Sequence, residues 1–194
     1  MHKACTYLVA LLLLASACAA SAQILPSEAG LRFSEQICNG PAGTCGCFNL
    51  QGAALDANWN LIHPAPGFRL GLAFDAALEN TGSVSGAAYG LTLSTFAAGP
   101  RFKLSIKKMQ PFAQALFGIA HGTGSQFPQN GNTLASSANS FALDVGAGAD
   151  YSLGKHFSIR FLQADYLRTA LPNNSTNWQN NLRIGAGLTL HISH

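Results

Sequence analysis

The sequence predicts an all-β protein: an eight-stranded, antiparallel, up-and-down transmembrane β-barrel. Three observations carry this expectation. First, apolar and polar residues alternate with period two through most of the chain, which puts them on opposite faces of strands. Second, only 10% of the 194 residues are charged, against about 25% in a soluble domain. The apolar residues (48%) and the 20 glycines are spread thinly, and past residue 25 no apolar run approaches the ~18–20 residues of a membrane helix. Third, connections between the alternating segments are short and long in turn, as in an up-and-down transmembrane barrel. This composition excludes a disordered chain and a multi-span helical protein. The formal net charge of +3 is too weak to imply nucleic acid or another anionic partner.

The N-terminal 22 residues read as a secretory signal. Lys3 provides a positive start, Tyr7–Ala15 an apolar stretch of signal-peptide length, and Ala20-Ser21-Ala22 small residues before a cleavage point at Gln23. A membrane anchor fails on length. Lipoprotein processing at Cys18 is an alternative, although Ala15 stands where Leu is usual. Residues 23–194 then form the barrel domain.

Eight strands follow in order. The first, near 29–36, sets Leu31 and Phe33 against Arg32 and Ser34. Segment 48–61 sets Ala53, Leu55, Ala57, Trp59 and Leu61 against Asp56, Asn58 and Asn60. Segment 67–79 alternates strictly from Phe68 to Leu78, with Arg69, Asp75 and Glu79 opposite. Segment 88–104 carries Tyr89, Leu91 and Leu93 in one phase and Phe102 and Leu104 in the other, so a β-bulge is expected near Gly99-Pro100. Segments 110–122, 141–151, 157–170 and 179–190 complete the set, with a second bulge near Leu162. The turns 63–66, 105–108 and 153–155 are tight. Stretches 37–47, 80–87, 123–139 and 171–178 are longer and rich in Gly, Ser, Asn, Thr and Pro.

A soluble barrel can also have eight alternating strands, but it must hide its apolar face and show many charges to water. This chain lacks those charges, and its polar face is rich in glycine, which suits a narrow interior. Aromatic residues gather near strand ends: Trp59, Phe68, Phe102, Tyr151 and Phe157 by the tight turns, Tyr89, Phe141, Tyr166 and Trp178 by the loops. Two such girdles mark the two interfaces of a membrane. The apolar face is therefore expected outward, in lipid.

The stretch FLQADYLRT (161–169), the short loop after it and QNNLRIGAGLTL (179–190) resemble the closing hairpin of small OmpA-like outer-membrane β-barrel proteins. AAGPRF (97–102) is similar to a segment midway through that family. The resemblance spans residues 29–192. It implies a Gram-negative outer-membrane location, contact with outer-membrane lipids, lipopolysaccharide and the barrel-assembly machinery, and a monomer without cofactors. Such barrels commonly end on an aromatic residue, whereas this chain ends Leu190, His191, Ile192, Ser193, His194.

Few residues suggest chemistry. The cysteines past the signal, Cys38, Cys45 and Cys47, all fall in the first long loop, and an exported protein favours a disulfide there over a metal site. Cys45 and Cys47 are too close to pair comfortably, so Cys38 is expected to bond one of them. Outer-membrane lipid A deacylases use a Ser activated by a His, itself oriented by a carboxylate. Here His191-Ile192-Ser193 has a suitable spacing but lies at the inner end, and His121 is followed two residues on by Thr123. His63 and His156 fall at turns. No phosphate loop or HExxH motif is present, so a non-catalytic role is expected. Its rivals are a lipid A-modifying enzyme and a secreted barrel binding a small apolar ligand.

The inner face is instead the candidate site. Arg32, Arg69, Arg101, Lys103, Arg160 and Arg183 share it with Asp56, Asp75, Glu79, Asp144, Asp150 and Asp165. Opposite charges in so narrow a space should pair. Asp144, Asp150, Arg160 and Arg183 are expected to form the deep network, with Glu79 and Lys103 in solvated rims. For the loop cysteines, thiol labelling of protein taken from the native envelope without reductant is expected to find Cys38 oxidised; three free thiols would exclude the disulfide.

Overall fold

The computed structural model describes residues 25–38, 48–84, 90–128, 134–173 and 177–192. Eight strands form one closed antiparallel barrel in sequence order: β1 (Glu28–Cys38), β2 (Phe48–Ile62), β3 (Phe68–Thr81), β4 (Leu91–Leu104), β5 (Met109–Pro128), β6 (Leu134–Ser152), β7 (Phe157–Thr169) and β8 (Gln179–His191). β1 pairs along its length with both β2 and β8, which closes the sheet and leaves no free edge. The strands are 11–20 residues long, enough to cross a bilayer, which takes about 9–11.

The two faces are inverted relative to a soluble barrel. Outward positions carry Leu31, Phe33, Leu55, Leu78, Phe96, Phe117, Ile119, Phe161 and Leu188, all exposed, while arginines and aspartates fill the inside. An apolar surface of this extent suits hydrocarbon, not water. Trp59, Phe68, Phe102, Tyr151 and Phe157 lie toward the short-turn end, where Phe68 and Phe102 pack at a 5.4 Å ring separation. At the loop end Tyr166 donates its hydroxyl to Asn180 Oδ1 at 2.6 Å. The short connections are those after β2, β4 and β6, and Gly67 closes the first with φ 81°, a conformation that Cβ-bearing residues avoid.

The inner wall is lined with small residues because its curvature is tight. A Cβ on Gly187 would run into the Leu31 carbonyl and the Arg32 backbone; one on Gly146 would meet the Asp165 carboxylate. Gly187 lies beside Arg32 of β1 and Arg160 of β7 in the ladder, and its missing side chain leaves room for both arginines.

The bulge expected near Leu162 is present. Pairing shifts between Arg160 and Gln163, so that Phe161 and Leu162 both point outward while Arg160 and Gln163 both point inward. The bulge expected at Gly99-Pro100 is absent. β4 keeps one register with β3 from Phe68↔Leu104 to Thr81↔Leu91, and Ala97, Gly99 and Arg101 all face inward. Leu93 accounts for the difference: it points into the barrel and is only 2% exposed. It belongs to an apolar cluster at the loop end with Leu50, Ala120, Phe127, Ala138, Ala142, Leu167 and Leu171. β4 therefore has a single phase whose inner face changes from apolar to charged along its length.

The long loop expected at 123–139 is also shorter than its composition suggested. β5 continues to Pro128 and β6 begins at Leu134, with a register shift between Thr123 and Phe127 and Gly124 at φ 85°. Tertiary burial of Phe127 overrides the turn-like composition around it. Cys38 ends β1 instead of lying in the loop. The expected signal segment 1–22, Cys45, Cys47, Tyr89 and Ser193 lie outside the described residues.

Ala186 and Gly187 separate the two faces within one step. Ala186→Arg places a cation on the outward face and is expected to destabilise the lipid-embedded barrel by about 2–4 kcal/mol in urea unfolding from vesicles. A spin label at Ala186 checks the assignment, since lipid-dissolved oxygen should broaden its signal and spare that of a label at Lys155 in the exposed turn.

Candidate functional site

Ionic side chains fill the barrel from the short-turn end to above its middle. At the short-turn end Lys103 Nζ donates to Glu28 Oε2 at 2.5 Å and to Asp150 Oδ2 at 3.0 Å, and Arg69 lies 3.5 Å from Glu28. Asp150 accepts from Arg160 Nε at 2.8 Å, and Arg160 Nη1 donates to Asp56 at 2.7 Å. Asp56 also accepts from Arg101 at 2.7 Å, while Gln114 Oε1 accepts from Arg101 at 2.6 and 2.9 Å. Farther along, Arg32 donates to Asp75 at 2.6 Å, and Arg183 binds Asp75 at 3.1 Å and Asp144. Asp165 accepts from Gln163 at 2.7 Å, and Ser34 donates to Glu79 at 2.6 Å.

The strand register explains why these groups need one another. Asp56 and Asp75 stand directly opposite on β2 and β3, an arrangement that like charges disfavour. Arg32 bridges them, 2.6 Å from Asp75 and 3.7 Å from Asp56. Asp150 faces Arg160 across β6 and β7, and Asp165 faces Arg183 across β7 and β8. The Phe112 ring fills the gap between cations, with Arg160, Arg101 and Lys103 at 4.7, 4.9 and 5.8 Å from its centre, attracted by its π face.

The four deep candidates thus fall into two pairs, Asp150–Arg160 and Asp144–Arg183, joined through Asp56, Arg32 and Asp75. Glu79 and Lys103, expected in solvated rims, are instead 0% and 1% exposed: Glu79 accepts from Ser34, and Lys103 donates to Glu28 and Asp150. Glu28 is a further buried member that sequence reasoning missed. Its even-number parity with Arg32 placed it inward, but the short first strand was not extended far enough to reach it. Phe112 was missed because the phase of β5 was not assigned.

One arrangement has the outline of a hydrolytic triad. His191 Nε2 lies 2.6 Å from Ser158 Oγ, and His191 Nδ1 lies 3.5 Å from Glu28 Oε1. A serine nucleophile must meet its substrate's carbonyl carbon, yet Ser158 is 0% exposed and Glu28 is held by Lys103. These three residues come from β7, β8 and β1, and the backbone adds His191 N–H to His156 O at 2.7 Å and Ile192 N–H to Ser27 O at 2.9 Å. The cluster clasps the seam where the barrel closes. His121 is bonded to Asn139 at 2.6 Å at the loop end, and His63 and His156 are exposed. Among the described residues no group of His, Cys, Asp and Glu could hold a metal ion.

Breaking the column on one side is expected to be costly. Asp56→Ala strips Arg101 and Arg160 of their shared carboxylate and should destabilise the barrel by about 3–5 kcal/mol in denaturant unfolding. Adding Arg160→Met to that variant should recover part of the loss, because it removes one of the stranded charges.

No protein-family model matches the sequence, and a comparison with curated proteins finds no match. Solved structures do match in shape. The chain is similar to Neisserial surface protein A (NspA), at 14% identity and a TM-score of 0.61, covering 85% of this chain and 96% of that one. It is similar to Ail, the attachment invasion locus protein of Yersinia pestis, at 17% identity and a TM-score of 0.53, covering 85% and 99%. The outer membrane enzyme PagL matches at 16% identity and a TM-score of 0.56, covering 84% and 99%. With the closed order β1 to β8 and the resemblance of its closing hairpin, this chain has the fold of the small, OmpA-like, eight-stranded outer-membrane β-barrels.

Proposed function

We propose that the protein is a non-catalytic outer-membrane barrel of a Gram-negative envelope, a sealed scaffold that presents its four loop-end connections to the exterior. The observation that supports this reading best is the ionic column itself. Arg32, Asp56, Arg101, Asp150, Arg160 and Arg183 are all at most 5% exposed, and each belongs to an ion pair inside a cylinder about wide enough for its own side chains alone. Paired in this way, the charges act as a plug. The role is structural, protective or one of surface interaction, and not that of a general porin.

The distribution of charge refines the reading. Residues 39–47, 82–90, 129–133 and 170–178, which link the strands at the loop end, contain no Asp, Glu, Lys or Arg, whereas the opposite end carries Lys107, Lys108 and Lys155. Surface partners would therefore be met by hydrogen bonds and shape, with little long-range steering. Toward lipid, Arg168 lies over the Trp178 ring at 4.0 Å near the loop end of β7, where it can meet the anionic groups of lipopolysaccharide. A lipid-hydrolase role, suggested by the similarity to PagL, is disfavoured by the sealed Ser158 hydroxyl.

Planar-bilayer reconstitution of properly folded monomers tests the plug. No steady conductance is expected, and a nanosiemens-scale open state would make the protein a porin. Recovery of the chain in the soluble periplasm without detergent would overturn the membrane location.

A further inference from the structure

Above the ionic column the lumen changes character. A cavity of about 290 Å³ opens at the loop end, walled by Phe48, Leu91, Leu93, Phe127, Leu134 and Leu171. That volume is at the lower end of small-molecule sites, roughly 300–1,000 Å³. Among the described residues no charged side chain lines it. Two of its polar residues are tied within the protein: Thr169 Oγ1 donates to Gln179 Oε1 at 2.9 Å, and Gln179 Nε2 donates to the Leu171 carbonyl at 2.7 Å. Asn181 is different. It lines the cavity and is 3% exposed, yet its carboxamide oxygen accepts no hydrogen bond among the described residues. Leaving such a group buried and unmet is unfavourable; its oxygen has almost no accessible surface, so a ligand hydroxyl relieves it once the carboxamide turns toward the cavity.

We propose that this cavity is a binding site for a small, neutral, apolar molecule carrying one hydroxyl, such as a medium-chain alcohol. The apolar wall takes the hydrocarbon, and the hydroxyl bonds Asn181; because a hydroxyl both donates and accepts, it suits the carboxamide in either orientation. Charged ligands are rejected, since a carboxylate brought into this mouth would lose its water and find no cation. The molecule enters from the exterior, which rests on the orientation proposed above, and stops at the ionic column. The site is therefore a receptor-like mouth and not a transport path. The apolar cluster that makes it possible includes Leu93 and Leu167, whose inward direction places non-polar side chains where a water-filled channel would have polar ones.

Full-length protein in phospholipid nanodiscs, labelled at leucine methyl groups, provides the test by NMR titration with 1-octanol, octanoate and octane. The Leu93 and Leu171 methyl signals should shift saturably with 1-octanol, and octanoate should bind at least about tenfold more weakly. Asn181→Leu should weaken 1-octanol about fivefold and leave octane unchanged, while Leu93→Trp, which fills the cavity, should abolish both. Shifts that rise linearly without saturation, equal binding of 1-octanol and octanoate, or an unaltered response in Asn181→Leu would each overturn the site. Failure of the chain to enter nanodiscs as a protease-resistant barrel would refute the membrane reading instead, so the two failures are distinct.

Discussion

The structure depends on one constraint: a barrel of eight strands has almost no interior to spare, and what it encloses must be self-sufficient. A carboxylate inside it has lost most of its water and needs a cation within hydrogen-bonding reach. Asp56 and Asp75 show the constraint most plainly. They face each other across β2 and β3; Arg32 reaches between them, Arg101 and Arg160 bind Asp56, and Arg183 binds Asp75. Arg32 fits in turn because Gly185 and Gly187 leave their side of the wall empty. Charge pairing, glycine placement and strand register are thus one requirement seen at three levels.

The same constraint makes the barrel asymmetric along its axis. At the short-turn end the seam is fastened by Ser158, His191 and Glu28, with Lys103 and Arg69 drawn onto the same carboxylate. At the loop end the ionic groups give way to Leu50, Leu93, Phe127 and Leu167, and the interior opens into an uncharged mouth. A chain that filled its whole length with ion pairs would have sealed both ends alike. Confining the pairs to the lower part leaves a floor of fixed charge under a small apolar chamber. That layout separates the task of closing the barrier from whatever is met at the surface.

The outward face explains the unusual composition. Lipid requires no charge, so the acidic residues are almost all withdrawn into the lumen: of the eight, only Glu35 points outward, where it accepts from Asn49 at 3.0 Å. The low charge content is therefore a consequence of architecture. Glycine abundance has the same origin, since small inner-wall positions such as Gly146 and Gly187 accommodate the side chains that the lipid face cannot carry.

Much was legible from the amino-acid order alone, because strand geometry is local. Period two determines which residues share a face, and the presence of Arg69, Asp75 and Glu79 opposite Phe68, Phe74 and Leu78 made β3 readable without any partner strand. The doubled outward pair Phe161 and Leu162 likewise betrayed a bulge in β7. Alternation says nothing, however, about what lies across the lumen. Leu93 looked like a lipid-facing residue because apolar side chains suit either lipid or an apolar interior, and only closure of the sheet brought it against Leu50 and Leu167. From that ambiguity came a bulge at Gly99-Pro100 that the continuous β3–β4 register does not contain. The links from Asp56 to Arg160, and from Ser158 to Glu28 through His191, join strands far apart in sequence. Local alternation sets the number of strands, most of their faces and the chemical kind of lining; the inward turn of Leu93 and the partners of each buried charge were decided by shear and closure, which are properties of the whole barrel.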